Sequence, residues 1–155
     1  REKIEKIAAI YLKAFDWYRD SPMYAGRVAA GISEQRDAQQ SRVATSADYL
    51  AENMHRSPAL FIPCMHGRNT TPGAAGSIIP AAWSFMLAAR ERGLGTCWTT
   101  LHLMHEEEAA DVLNIPFDKV QQWALSPVAF TSGTDFKPAT RPDLETVISW
   151  NSWSG

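Results

Sequence analysis

Ser77–Leu103 reads SIIPAAWSFMLAARERGLGTCWTTLHL, and its first half is apolar around nearly the whole circumference of a helix. Trp83, Phe85, Met86 and Leu87 crowd into a short stretch, and Arg90, Glu91 and Arg92 then precede Gly93. A helix with no polar face must be covered on more than one side, in a small domain by the sheet on one side and often by a partner subunit on the other. Ser77 is the expected N-cap, Pro80 is expected in the first turn, and Gly93 is the natural residue just past the end, with the arginines suiting the negative terminus. The run Gly95–Leu101 that follows is rich in strand formers. A central helix handing directly to a strand predicts a layered domain containing both.

Outward from that block, Ile4, Ile7, Tyr11, Phe15 and Tyr18 recur at three and four residues, which predicts a helix with one buried stripe. Asp20–Gly31 has no sustained period and is expected to be a mobile connection. A second helix is expected from about Asp37 to Met54, with Val43, Ala47, Leu50 and Met54 on one face, stopped by Ser57 and Pro58. Ala59–Met65 predicts one short buried strand, His105–Leu113 a short helix whose acidic first turn suits the dipole, and Val120–Phe130 a last strand broken at Pro127. The polar, turn-rich tail from Thr131 carries Trp150 and Trp153 and has to lie on something.

At 155 residues with 45% apolar composition the chain has material for one core, so a single domain over 1–155 is expected. A net charge of −2, without a basic block, argues against nucleic acid as partner. No stretch was expected to span a membrane, and two widely separated cysteines, Cys64 and Cys97, suit a reducing, cytoplasmic setting. The six tryptophans are many for this length and are expected in the core or an interface, or stacked on a ligand. The G-x-S-x-G elbow, the P-loop and the dinucleotide glycine fingerprint are all missing, which removes the mechanical parts of hydrolase, NTPase and Rossmann chemistry. His105-Glu106 does not open a zincin helix, because the second histidine position holds Ala109. No catalytic side chain and no metal-ligand set is assigned: Cys64, His66, Cys97 and His102 could meet on adjacent strands as a metal site, but nothing in their spacing requires it, and they read as ordinary buried thiols and surface histidines.

Two pieces together carry a resemblance. The block Ser77–Leu103, with its proline-bearing apolar helix, Ala-Ala-Arg ending, Gly-Leu-Gly and tryptophan-containing strand, resembles the nitroreductase family, as does ALSPVAFTSGTDFKPATRPDLETVISWNSW from Ala124 to Trp153. The resemblance implies an α+β fold, a three-layer α/β/α sandwich whose central, mostly antiparallel sheet of four or five strands is flanked by helices. It also implies a homodimer with FMN at the interface. The activity implied is an FMN-dependent oxidoreductase: NAD(P)H gives hydride to FMN and leaves, and a nitroaromatic, quinone or similar electron-poor acceptor takes its place. Solvent or the flavin can deliver the protons, so the protein needs no general acid.

Carried over by position, Trp98, Thr99, Thr100 and Leu101 fall where the family lays backbone against the pyrimidine and N5 edge of the ring, and Arg141 where it sets a cation on the phosphate. Trp98 also reads as a core aromatic, and Arg141 as a solvated turn residue between Thr140 and Pro142. The family's Arg-Ser-x-Arg and Asn-x-Gln-Pro-Trp segments lie N-terminal to Arg1, which already sits in a helical pattern, so the chain is expected to start within a longer polypeptide or to report only its ordered part. Two departures stand out: Pro127-Val128-Ala129-Phe130 replaces a common Pro-x-Gly-Tyr, and the bulky Trp83 either narrows the pocket or packs across a dimer. A flavin-sequestering protein without turnover, and a purely structural interaction domain, are the competing classes.

Overall fold

The computed structural model describes residues 1–28, 31, 33–133, 135–138 and 141–153. The chain opens with α1 (Glu2–Asp20), followed by α2 (Glu34–Asn53) and a 3-10 turn, Met54–Arg56. Then come β1 (Ala59–Phe61), β2 (Cys64–His66), α3 (Pro72–Glu91) and β3 (Leu94–Thr96). A 3-10 helix at Leu101–His105 leads into α4 (Glu106–Leu113), β4 (Val120–Gln122) and β5 (Ser126–Phe130). β5 lies between β1 and β3, antiparallel to both, and β2 pairs antiparallel with β4.

Three layers follow from alternation along β1. Phe61 stacks on Phe85 of α3, with centroids 3.9 Å apart, while its neighbours Leu60 and Ile62 pack against the core cluster built on α1. Helices therefore cover both faces of the sheet. That core holds Ile7, Ile10, Tyr11 and Phe15 of α1, with Ala51, Met54, Ala109 and Leu125 closing around them.

Several sequence expectations are corrected. The single strand over Ala59–Met65 is two, because the chain changes partners at Ile62-Pro63. Ile62 and Pro63 face three residues, Trp123, Ala124 and Leu125, so the ribbon made by β1–β2 and β4–β5 carries a one-residue bulge. The last strand is correspondingly broken at the bulge, and Pro127 sits inside β5 opposite Leu60. Proline has no N–H to give there, and beside it the Ser126 hydroxyl accepts from the Cys97 N–H at 2.9 Å and donates to Pro127 O at 3.0 Å.

α3 starts five residues before the expected cap. Thr71 Oγ1 accepts from the Ala74 N–H, Pro72 occupies the first position, and Pro80 falls inside the helix, where the Ser84 hydroxyl caps its carbonyl at 2.9 Å. Gly93 ends α3 as expected: its φ of +75° lies in the left-handed region, and its N–H donates to Arg90 O. The connection after α1 is tied down rather than free, since Arg27 donates to the carbonyls of Arg19 and Ser21 and the Tyr24 hydroxyl to Asp48. Residues 29, 30 and 32 of it lie outside the described residues.

Five of the six tryptophans, Trp17, Trp83, Trp98, Trp150 and Trp153, are exposed, so the core does not use them. α3 itself exposes Ile79, Trp83, Phe85 and Leu87, and buries mainly Ala74, Ala82 and Ala89. By length and composition α3 is also apolar enough to cross a membrane, which the sequence reading did not anticipate.

The acidic first turn of α4 has two fates. Glu106 accepts both arms of the Arg68 guanidinium at 2.9 Å and the N–H of buried Gln122 at 2.8 Å, whereas Glu108 meets only Lys13 at the surface. Glu106→Ala strands the Gln122 N–H and unpairs Arg68, with an expected loss of about 2 kcal/mol. Glu108→Ala is expected to cost less than about 0.5 kcal/mol. Urea midpoints of the two variants check the contrast, and equal losses would refute it.

Candidate functional site

A cleft of about 1000 Å³ opens between α1, α2, the segment Cys97–Leu101 and Lys137–Pro138. Its floor is aromatic: Tyr11, Phe15 and Tyr18 stand one helical turn apart on α1, and the first two are buried. The wall formed by Cys97–Leu101 follows from the bulge. The extra residue on the β4–β5 side lets Leu125 reach across and exchange both backbone hydrogen bonds with Thr99, at 2.9 and 2.8 Å. The expected strand Gly95–Leu101 thus shrinks to β3 plus this single bridge, and Leu101 already begins the 3-10 helix.

The bridge decides which backbone groups are available. In extended chain, successive N–H groups point to opposite sides. Thr99 is committed to Leu125, and the N–H groups of its neighbours Trp98 and Thr100 donate to no backbone carbonyl among the described residues. The Thr99 side chain is occupied as well, its Oγ1 lying 3.0 Å from the Tyr11 hydroxyl.

The four residues expected at a flavin ring, Trp98, Thr99, Thr100 and Leu101, all line this cleft. Arg141 does not: it is exposed, and the cleft is lined instead by Lys137 and Pro138, a few positions earlier in the same segment. Residues 139 and 140, between them, lie outside the described residues. Sequence reasoning missed the contribution of α2. Gln35, Gln39, Arg42 and Ser46 recur at four and three residues and line the cleft, alongside Val43, Ala47 and Leu50. Such a polar stripe ordinarily faces solvent; the signal was the poor amphipathicity of α2, which buries only Ala44 and Ala51.

No carboxylate lines the cleft among the described residues, and its two cations are Arg42 and Lys137. Burial pushes the Tyr11 phenol and the Cys97 thiol up, so both stay protonated near neutral pH. No three His, Cys, Asp or Glu side chains come together as a metal-binding group among the described residues.

His102, expected at the surface, is instead fully buried, and its imidazole pKa is pushed down to about 4, chiefly by burial, with Glu106 and Gln122 pulling the other way. Neither ring nitrogen finds a hydrogen bond of good geometry among the described residues.

No curated protein matches the chain in sequence. Among solved structures, the FMN and NADPH-dependent nitroreductase NfnB from sphigopyxis sp. strain HMH shares its fold with a TM-score of 0.62 at 16% identity, and a mutant of NfnB with 0.64 at 15%. Both alignments cover 99% of this chain and 77% of the other. The model of the Nitroreductase family matches residues 5–131, which include most of α1, the bulged sheet and the whole Cys97–Leu101 wall. With that match over most of its length, and with the layered fold to accompany it, the chain belongs to the nitroreductase family.

Proposed function

We propose that the chain is an FMN-dependent oxidoreductase that passes hydride equivalents from NAD(P)H to an electron-poor aromatic acceptor such as a nitroaromatic or quinone, with the Cys97–Leu101 cleft as its site. The observation that carries this is the pairing of an aromatic-floored cleft with two uncommitted backbone N–H groups, on Trp98 and Thr100, at its wall. The residues present suit a flavin: the N–H groups can meet the polar edge of the ring, and Lys137 and Arg141 place cations on one segment for its phosphate.

FMN, when bound, supplies the carrier that accepts hydride from the nicotinamide and returns it to the acceptor. The chain's own part is to position and to polarise. The Trp98 and Thr100 N–H groups would donate to the polar edge of the ring, and the Thr99–Leu125 bridge holds the segment that carries them. The Thr99–Tyr11 hydrogen bond ties the wall to α1. The aromatic floor keeps water from one side of the site. Solvent can deliver the protons, and no carboxylate lines the cleft among the described residues to do so in its place.

A second copy of the chain is the natural cover for the apolar face of α3, whose exposed Ile79, Trp83 and Leu87 form an interface of the type that symmetric dimers bury. Cys64 and Cys97, expected as buried thiols, are instead free and exposed as residues, the Cys97 thiol being only partly desolvated, and both suit a reducing, cytoplasmic setting.

The test is the visible spectrum of the purified protein, followed by anaerobic NADPH. Flavin bands that bleach on donor and return on addition of a nitroaromatic are the expected result. Lys137→Ala is expected to weaken FMN binding about tenfold, and Arg141→Ala, outside the cleft lining, less, read by fluorescence titration. A bound flavin indifferent to donor and acceptor would make this a flavin-sequestering protein. A colourless protein that takes up no FMN would overturn both readings.

A further inference from the structure

We infer that the α2 face of the cleft selects acceptors that carry an anion, with Arg42 binding a carboxylate on the aromatic substrate; the inference rests on the flavin-site reading above. Arg42 lines the cleft and makes no ion pair or hydrogen bond among the described residues. The reason lies in the sequence of α2. The positions one turn away from Arg42 are Ala38, Gln39, Thr45 and Ser46, with no carboxylate among them. The nearest acids on the helix are engaged elsewhere or turned from the stripe: Asp37 accepts the Gly31 N–H and Asp48 the Tyr24 hydroxyl.

Gln35, Gln39 and Ser46, on the same stripe, add neutral donors and no negative charge. Below them Val43, Ala47 and Leu50 of the same helix and the aromatic floor of α1 form an apolar slot. One element thus presents a planar cationic fork above a surface suited to a ring, which is the chemistry that recognises an aromatic carboxylate. Lys137 belongs to the other cationic segment, so the two charges are available to two different anions. A cleft of about 1000 Å³ has room for an aromatic acceptor beside a second ring system.

The test compares 4-nitrobenzoate with its neutral near-isostere 4-nitrobenzamide, using the flavin-loaded protein. Arg42→Gln is expected to raise KM for the benzoate about tenfold, to leave KM for the benzamide and kcat for both unchanged, and to make benzoate KM less sensitive to added salt. Calorimetric titration of the oxidised protein with each compound, without any donor, gives a readout independent of turnover and is expected to show the same selective loss. Unchanged flavin absorbance and melting temperature in the variant separate failure of this inference from failure of the flavin reading. Equal losses for the two acceptors would overturn it. So would a rise in KM confined to NADPH, which would assign Arg42 to the donor's phosphate.

Discussion

Phe15→Ala is expected to destabilise the protein by about 3–5 kcal/mol, the range for deleting a buried phenyl ring that its surroundings cannot collapse onto. Phe15 is 1% exposed and sits at the hub of the aromatic cluster, with ring centroids at 6.4 Å from Tyr11, 6.0 Å from Tyr18 and 6.4 Å from Tyr24. The Arg19 guanidinium lies 5.8 Å from the ring centre. Those neighbours come from α1 and from the turn after it, which is held by its own hydrogen bonds, so the void stays open. Phe15 also lines the floor of the cleft, and the same substitution should therefore lower affinity for any ring bound there. Urea unfolding checks the first part: the midpoint falls while the slope is kept. A loss below about 1 kcal/mol would show that the site collapses and that Phe15 is not its hub.

The second large effect is one of pH. An unfolded histidine takes its proton near 6.5, whereas buried His102 does so only at about 4. Between those values the unfolded chain binds more protons than the folded one, so stability falls as the pH is lowered. The contribution is intact above about 6.5 and lost by about pH 4, amounting to up to about 3 kcal/mol. Urea midpoints at pH 7.5 and 4.5 measure it, and His102→Leu, which cannot titrate, should flatten the difference. If wild type and variant lose the same stability on acidification, the carboxylates and not His102 govern it. Because His102 stands in the turn that ends the Cys97–Leu101 wall, the wild-type cleft is expected to loosen over the same window.

Much of the local structure was legible from the chain. α1 declared itself by its apolar period, and the end of α3 by the Arg90–Gly93 pattern, because both depend on contacts within a turn or two. Four of the expected ring-contact positions, Trp98 to Leu101, line one cleft together, since a contiguous segment cannot be scattered by the fold. The start of α3 was misplaced, as Ser77 and Thr71 are both acceptable caps and only the geometry chose Thr71. The tryptophans were expected in the core, in an interface or on a ligand; five of the six are exposed, and the core is built instead on Ile7, Ile10, Tyr11 and Phe15 of α1 with Met54 and Leu125.

What the sequence determined by itself is the inventory: helices alternating with short strands, a helix apolar around nearly its whole circumference, and a segment of strand formers following Gly93. Only the tertiary structure decided what each part is available for. The bulge of Ile62 and Pro63 against three residues is a fact of register, and it sends Leu125 to Thr99, committing one backbone N–H and freeing its neighbours. Likewise Gln35, Gln39, Arg42 and Ser46 have the spacing of any solvated helix face, and they line a cleft solely because α2 lies beside the aromatic stripe of α1. Spacing along a chain fixes which side chains share a face, but the partner of that face is set by contacts between residues far apart in sequence, which no local pattern encodes.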